Sequence, residues 1–270
     1  MKTELLKVNH LKVQYRDHKI SKDIISDISF SLKKNHCLGI IGESGSGKSI
    51  TCKAILGLLE KNFDVKGDVV FNDIHLLKQD KRKIRHIRGK EISMILQNPM
   101  TSFDPLFTIQ EQMTETFIEN LDITKKEALG LSLKALEEMH ILYPKDVLKK
   151  HPHQLSGGML QRVMIGIALA LKPSMIIADE PTTAVDAINV VKVMEEFMRI
   201  REKHHTSMIF VSHDLGVVSK IADHLLVMKE GEIVEAGETQ HVLNRPSNEY
   251  TKYLIDTRNA LVEKFYQVVG

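Results

Sequence analysis

The sequence predicts an α/β protein with a small antiparallel β part and an inserted helical part, on three observations. Short, near-continuous apolar runs recur at 37–41, 92–96, 175–178 and 208–211, the pattern of parallel strands covered on both faces. Stretches 5–15, 23–32 and 67–72 read instead as strands of a largely antiparallel sheet. Between positions 99 and 153 the pattern becomes helical.

Each element follows in chain order. The alternating strands open the chain, and the buried strand 37–41 runs straight into a glycine-rich loop and a helix-like run at 50–59. Residues 78–90, rich in Lys and Arg with acidic neighbours, read as a solvated helix before a buried strand. Thr124 and Glu127 have the spacing of a capping box that opens a helix through Ile141. The most apolar run, 163–171, is stopped by Lys172 and Pro173, far short of the ~20 residues that cross a bilayer; it predicts a core helix. Ile188, Val191, Met194, Phe197 and Met198 mark one face of an amphipathic helix over 187–204.

Composition sets the outer limits. With 43% hydrophobic and 27% charged residues among 270, the chain is ordinary globular protein, expected to have one core with an inserted or appended part. Its 37 basic and 35 acidic residues nearly cancel, so the balance asks for no nucleic acid. Charges at Lys2, Glu4, Lys7 and Lys12 break up any secretory signal, and a cytosolic protein is expected. Cys37 and Cys52 read as reduced, buried small hydrophobes. His151, His153, His204 and His205 lack a defined metal-ligand set.

Gly42, Glu43, Ser44, Gly45, Ser46, Gly47, Lys48 and Ser49 match Gly-x4-Gly-Lys-Ser between a strand and a helix, the context the motif requires. Glycines at these positions let backbone amides and a helix N-terminus close around phosphate oxygens. Lys48 adds a point charge to the β- and γ-phosphates, and the Ser49 hydroxyl is suited to ligate Mg²⁺.

Such a loop leaves kinases, GTPases, helicases and transport ATPases open. The strand at 175–178 ends in Asp179 and Glu180, and strand ends are where open α/β sheets place ligand chemistry. Asp179 is expected to hold Mg²⁺ through its water shell and Glu180 to polarise the attacking water as general base. Gln97 follows the strand 92–96, from where its amide could touch the Mg²⁺ shell and the γ-phosphate side. His213 follows 208–211, where an imidazole could reach the γ-phosphate and hold Glu180 in line.

Leu155-Ser156-Gly157-Gly158-Met159-Leu160-Gln161 opens an apolar helix with a hydroxyl and two glycine amides, a second anion-binding helix start. One nucleotide does not need two in one chain. The economical reading has Ser156, Gly157 and Gly158 contact the γ-phosphate of ATP held by another subunit, with nucleotide sandwiched between two chains.

With these motifs in this order, the sequence resembles the ATP-binding cassette family over nearly its whole length. The resemblance implies an ATP-hydrolysing, Mg²⁺-dependent transport subunit with a RecA-like phosphate-loop core, an antiparallel β subdomain and an inserted helical subdomain. As one domain, its core and antiparallel parts would be 1–98 and 160–236, its helical subdomain 99–159 and its C-terminal tail 237–270. It also implies that Tyr15 stacks on adenine, that Gln97 begins the loop facing a permease, that Ala184-Val185-Asp186 faces the partner ATPase, and that His213 is the switch histidine.

Gln97 through Pro105 and Pro246 through Thr251 resemble stretches of the family's nickel and peptide importer branch. No cysteine follows Cys52, whereas peptide-importing members often carry a cysteine-bearing tail. The expectation is uptake of a divalent metal (nickel, cobalt, zinc, copper or iron) as a metallophore complex, with oligopeptide or dipeptide import as the alternative. Implied partners are a second, distinct ATPase, two membrane permeases and an extracytoplasmic solute-binding protein, with the chain peripheral at the cytoplasmic face of the membrane. Phe103-Asp104, Val185 and Leu160 depart from the family pattern without removing a phosphate, Mg²⁺ or base contact, so they bear on which permease is matched and not on whether ATP is hydrolysed. A chromosome or repair ATPase would separate the motifs with a long coiled coil, absent here; a phosphate-loop kinase would leave the Ser156 helix start unexplained. An exporter subunit remains a third alternative.

Overall fold

The computed structural model describes residues 4–17 and 20–269. Residues up to Gln79 together with those from Ile209 onward form one compact unit, and Asp80–Met208 form another. The first unit opens with β1 (Glu4–Asp17), β2 (Ile20–Lys33), β3 (Cys37–Ile41), α1 (Lys48–Ile55), β4 (Phe63–Phe71) and β5 (Ile74–His75). The second contains α2 (Lys81–Lys90), β6 (Ile92–Ile95), α3 (Ile109–Asn120), α4 (Lys125–Glu138), α5 (Pro144–Leu148), α6 (Gly157–Ala170), β7 (Met175–Asp179) and α7 (Ala187–His204). Strand β8 (Ser207–Val211) crosses the boundary, and the first unit resumes with α8 (Leu215–Ile221), β9 (His224–Lys229), β10 (Glu232–Glu238), α9 (Thr239–Asn244) and α10 (Glu249–Val269).

In the first unit, β2-β1-β4-β5 form an antiparallel sheet. The buried side chains of β1 change parity along the strand, from Leu6 and Val8 to Leu11 and Val13. A period-2 strand would turn one of those pairs to solvent. Register shifts on both sides of β1 between Val8 and Lys12 absorb the extra residue, and His10 sits there at φ 49. This bulge keeps both pairs in the core.

The first unit's other sheet runs β10-β9-β3-β8, with β3 and β9 parallel. All five residues of β3 are buried, as the unbroken apolar run predicts. Burying side chains such as Ile40 and Ile41 contributes about 1.5–3 kcal/mol each, which fixes the strand that leads into the glycine-rich loop. Glu230 and Gly231, at φ 49 and 80, make the tight turn between β9 and β10.

In the second unit, β7 pairs in parallel with β6 from Ile92↔Met175 to Ile95↔Ala178. Helices α3 and α4 both start with complete capping boxes, Thr108 with Glu111 and Thr124 with Glu127. They pack on each other, and α4 packs on α6, burying Met113, Phe117, Ala135, Leu136, Leu160 and Val163. The solvated helix expected at 78–90 is α2, but Arg88 and Gly89 leave helical geometry before β6. Among the described residues, no helix is long and apolar enough to cross a membrane.

Candidate nucleotide-binding and catalytic residues

The functional groups fall into two sets, one in each unit. In the first unit, buried β3 delivers the chain to Gly42, and α1 begins at Gly47 without a side-chain cap, an arrangement in which a bound phosphate can serve as the cap. Gly42, Gly45 and Gly47 have φ of 150, 83 and 103. A Cβ on Gly42 would lie 2.2 Å from the Met228 carbonyl oxygen, and one on Gly47 2.5 Å from Ile25 Cδ1. Only glycine fits these two positions.

Lys48 is buried, and its Nζ donates to the carbonyl oxygens of Gly42 at 2.7 Å and Glu43 at 2.8 Å. The ammonium is thereby held over the loop's own curve. Ser46 is also buried, and its backbone carbonyl accepts from the Gly231 amide at 3.1 Å, tying the loop to the β9–β10 turn. The chemistry of this donor set, a glycine nest with a fixed ammonium and the Ser49 hydroxyl, fits a phosphate chain and a hard divalent cation.

His213 follows β8 and is exposed. Its turn is fixed by neighbours: Ser212 Oγ accepts from the Asp214 amide at 3.0 Å, and Asp214 caps α8 by accepting from the Gly216 amide at 2.7 Å. Tyr15 lies on β1, half-buried, its ring edge-on to Phe63 with centroids 5.3 Å apart.

In the second unit, the register of β6 and β7 aligns Ile95 with Ala178. Gln97 and the Asp179–Glu180 pair therefore emerge at the same strand ends. Asp179 and Glu180 are 2% and 7% exposed, an unusual depth for adjacent acids. Glu180 has φ 51, a left-handed conformation that costs a non-glycine residue on the order of 1 kcal/mol and clusters at functional sites. Thr183 Oγ donates to the Glu180 carboxylate at 3.1 Å and its backbone carbonyl at 3.2 Å, fixing the side chain in that strained turn.

Ser156 caps α6, its Oγ accepting from the Met159 amide at 3.2 Å. A hydroxyl that accepts in this way still has its proton to donate to an anion. A Cβ on Gly157 would meet nothing within 4 Å, whereas one on Gly158 would lie 2.8 Å from the Ala184 carbonyl oxygen. The fold thus brings the Ser156–Gly158 helix start against the Ala184-Val185-Asp186 loop. Asp186 caps α7, and hydrogen bonds from the Asn189 side chain and amide hold its carboxyl below its ordinary value.

Sequence reading missed three contacts. Gln161, fully buried, donates to the Leu96 carbonyl at 3.4 Å and links the Ser156 helix to the strand end bearing Gln97. Thr183, three residues after Glu180, was within reach of a local reading. The third, Tyr250 on Glu43 of the glycine loop, leaves no local trace in the sequence.

A glycine loop after a buried strand and paired acids at a parallel strand end define a RecA-like phosphate-loop ATPase. The ABC transporter family model matches residues 25–183. The metal-staphylopine import system ATP-binding protein CntD of Staphylococcus aureus is 43% identical over 98% of this chain and 97% of its own. The dipeptide transport ATP-binding protein DppD of Lactococcus lactis subsp. cremoris is 38% identical over 99% of this chain and 78% of its own. A dimeric ATP-binding cassette solved in a post-hydrolysis state with ADP and Pi superposes with a TM-score of 0.79 at 25% identity, over 87% of this chain and 98% of that one. The chain belongs to the ABC transporter family, as an ATP-hydrolysing subunit of an ABC importer.

Proposed function

We propose that this ATPase powers uptake of a divalent metal (nickel, cobalt, zinc, copper or iron) as a metallophore complex. The observation that carries the reading is the 43% identity to the metal-staphylopine protein along nearly all of both chains, against 38% to the dipeptide protein. Peptide import is the second reading, favoured by the latter relative.

In this account the amides of 42–49 and Lys48 bind the phosphates of ATP, and Tyr15 stacks on adenine. Ser49, Asp179 and Gln97 would hold Mg²⁺, which when bound would neutralise charge on the β- and γ-phosphates. Glu180 accepts the proton of the attacking water, Thr183 keeps its carboxylate in place, and His213 steadies the γ-phosphate side. Ser156, Gly157 and Gly158, with Asp186 beside them, contact ATP bound to a partner ATPase, so that binding closes the dimer and hydrolysis reopens it. Gln97 begins the surface that moves a permease, just ahead of a helical subdomain at 99–159. The partners are a distinct second ATPase, two permeases and an extracytoplasmic solute-binding protein, and the chain sits peripherally at the cytoplasmic face of the membrane.

Uptake of radioactive nickel, with and without a metallophore, in cells carrying Lys48→Ala tests the cargo, with labelled oligopeptide run in parallel. Loss of metal uptake alone is expected. Loss of peptide uptake alone would replace the metal reading with the peptide one.

A further inference from the structure

The phosphate loop contains an acid, Glu43, and the C-terminal segment reaches back to it. The Glu43 amide donates to the Tyr250 hydroxyl at 2.9 Å, and that hydroxyl donates to the Glu43 carboxylate at 3.3 Å. Tyr250 is 9% exposed. Its ring lies under Lys229 Nζ, 5.1 Å from the centroid, and stacks with Tyr253 at 6.5 Å.

The base of this contact is braced. Glu235 on β10 accepts from the Ser247 amide at 2.7 Å, the Ser247 hydroxyl at 2.8 Å and the Asn248 amide at 3.1 Å. Asn248 in turn accepts from the Tyr250 amide at 2.9 Å. One turn of chain is thus pinned to β10 at three hydrogen bonds, and it aims a single hydroxyl at the loop. Further along the same helix, Arg258 lies against Gly216, where an added Cβ would be 2.5 Å from its Nη2. Helix α10 therefore touches both the phosphate loop and the helix start that follows His213.

We propose that Tyr250 is a positioning residue for ATP binding, holding the backbone of the loop at Glu43 and keeping the Glu43 carboxylate from turning toward the phosphates. This rests on residues 42–49 being the ATP site. A carboxylate in a phosphate-binding loop repels its ligand unless it is held elsewhere, and a loop ordered before binding loses less entropy on binding. Tyr250 does both with one hydroxyl, which phenylalanine lacks while keeping the ring and its packing.

The test compares the 270-residue chain with its Tyr250→Phe, Glu43→Gln and double variants, measuring affinity for a non-hydrolysable ATP analogue with Mg²⁺, and melting temperature without nucleotide. Tyr250→Phe is expected to bind about threefold to tenfold more weakly, the worth of a hydrogen bond, with a melting temperature lowered by no more than about 2–4 °C, so that the chain remains folded at the assay temperature. The double variant is expected to recover part of that loss, because it no longer carries the charge to be restrained. Wild-type affinity in Tyr250→Phe, or a double variant no tighter than Tyr250→Phe, would overturn the proposal. Lys48→Ala separates the premise: if it binds the analogue as wild type does, the phosphate-loop assignment itself fails.

Discussion

Thr183 Oγ lies 3.1 Å from the Glu180 carboxylate and 3.2 Å from the carbonyl of the same residue. One hydroxyl cannot donate fully to both, so it is shared between fixing the side chain and closing the turn that holds Glu180 at φ 51. Thr183→Val keeps the shape and removes the donor. Turnover is expected to fall about threefold to tenfold with little change in the KM for ATP, since the lost hydrogen bond is of order 1 kcal/mol and acts on the base rather than on the nucleotide. Steady-state hydrolysis in the assembled transporter reads both quantities.

Gly158 faces the Ala184 carbonyl with no room for a methyl group, since an added Cβ would lie 2.8 Å away. Gly158→Ala must push the Ala184-Val185-Asp186 loop aside. Nucleotide binding by the single chain is expected to survive, while hydrolysis by the complex falls by about tenfold or more. Gly157→Ala, at a position where a Cβ meets nothing within 4 Å, is expected to fold as wild type does and serves as its comparison.

Ser156→Arg places a long cation at the start of α6 in place of the capping hydroxyl. ATP binding to the phosphate loop is expected to persist, and ATP-driven dimer closure to be lost, as read by light scattering of a chain that also carries Glu180→Gln, mixed with a partner ATPase carrying the two matching substitutions. Dimerisation as in the Glu180→Gln chain alone would contradict the sandwiched-nucleotide reading.

Glu235 gives a pH-dependent prediction. Burial disfavours its charge, but the hydrogen bonds it accepts, the Ser247 amide's first among them, outweigh that and lower its pKa in the folded chain. A folded pKa below the unfolded one stabilises above the ordinary glutamate pKa of about 4.3, and that contribution disappears as pH falls through the folded value. Glu235→Gln is therefore expected to melt a few degrees lower at pH 7, about 2–4 °C. The gap between variant and wild type should close as pH is taken below about 4. Melting scans from pH 7 to 3 measure it.

Much of this site was legible because its chemistry sits in short, contiguous stretches. The run 37–41 and the glycines after it give a buried strand and a phosphate loop, and 175–178 with Asp179 and Glu180 give a strand end bearing two acids. Thr124 with Glu127 gave the start of α4, since a capping box is a local device. What local reading misses is what depends on distance or on backbone geometry. Tyr250 meets Glu43 across 207 positions, and nothing near either residue announces the other. The left-handed turn at Glu180 has no marker either, because the glycine or asparagine that ordinarily signals positive φ is absent. In β1, a strict alternation would have set Leu6 and Val8 against Leu11 and Val13, and only pairing on both sides shows that a bulge reconciles them. The break in α2 did have a signal, Gly89, inside a run whose charge dominated its reading.

Everything proposed for this site turns on Glu180 being the base for ATP hydrolysis. The direct measurement is ATP binding and steady-state hydrolysis by Glu180→Gln in the assembled transporter, with the partner ATPase carrying the matching substitution. MgATP binding at least as tight as wild type, a closed complex and turnover reduced by about a hundredfold or more are expected. Steady hydrolysis near the wild-type rate would contradict that role for Glu180.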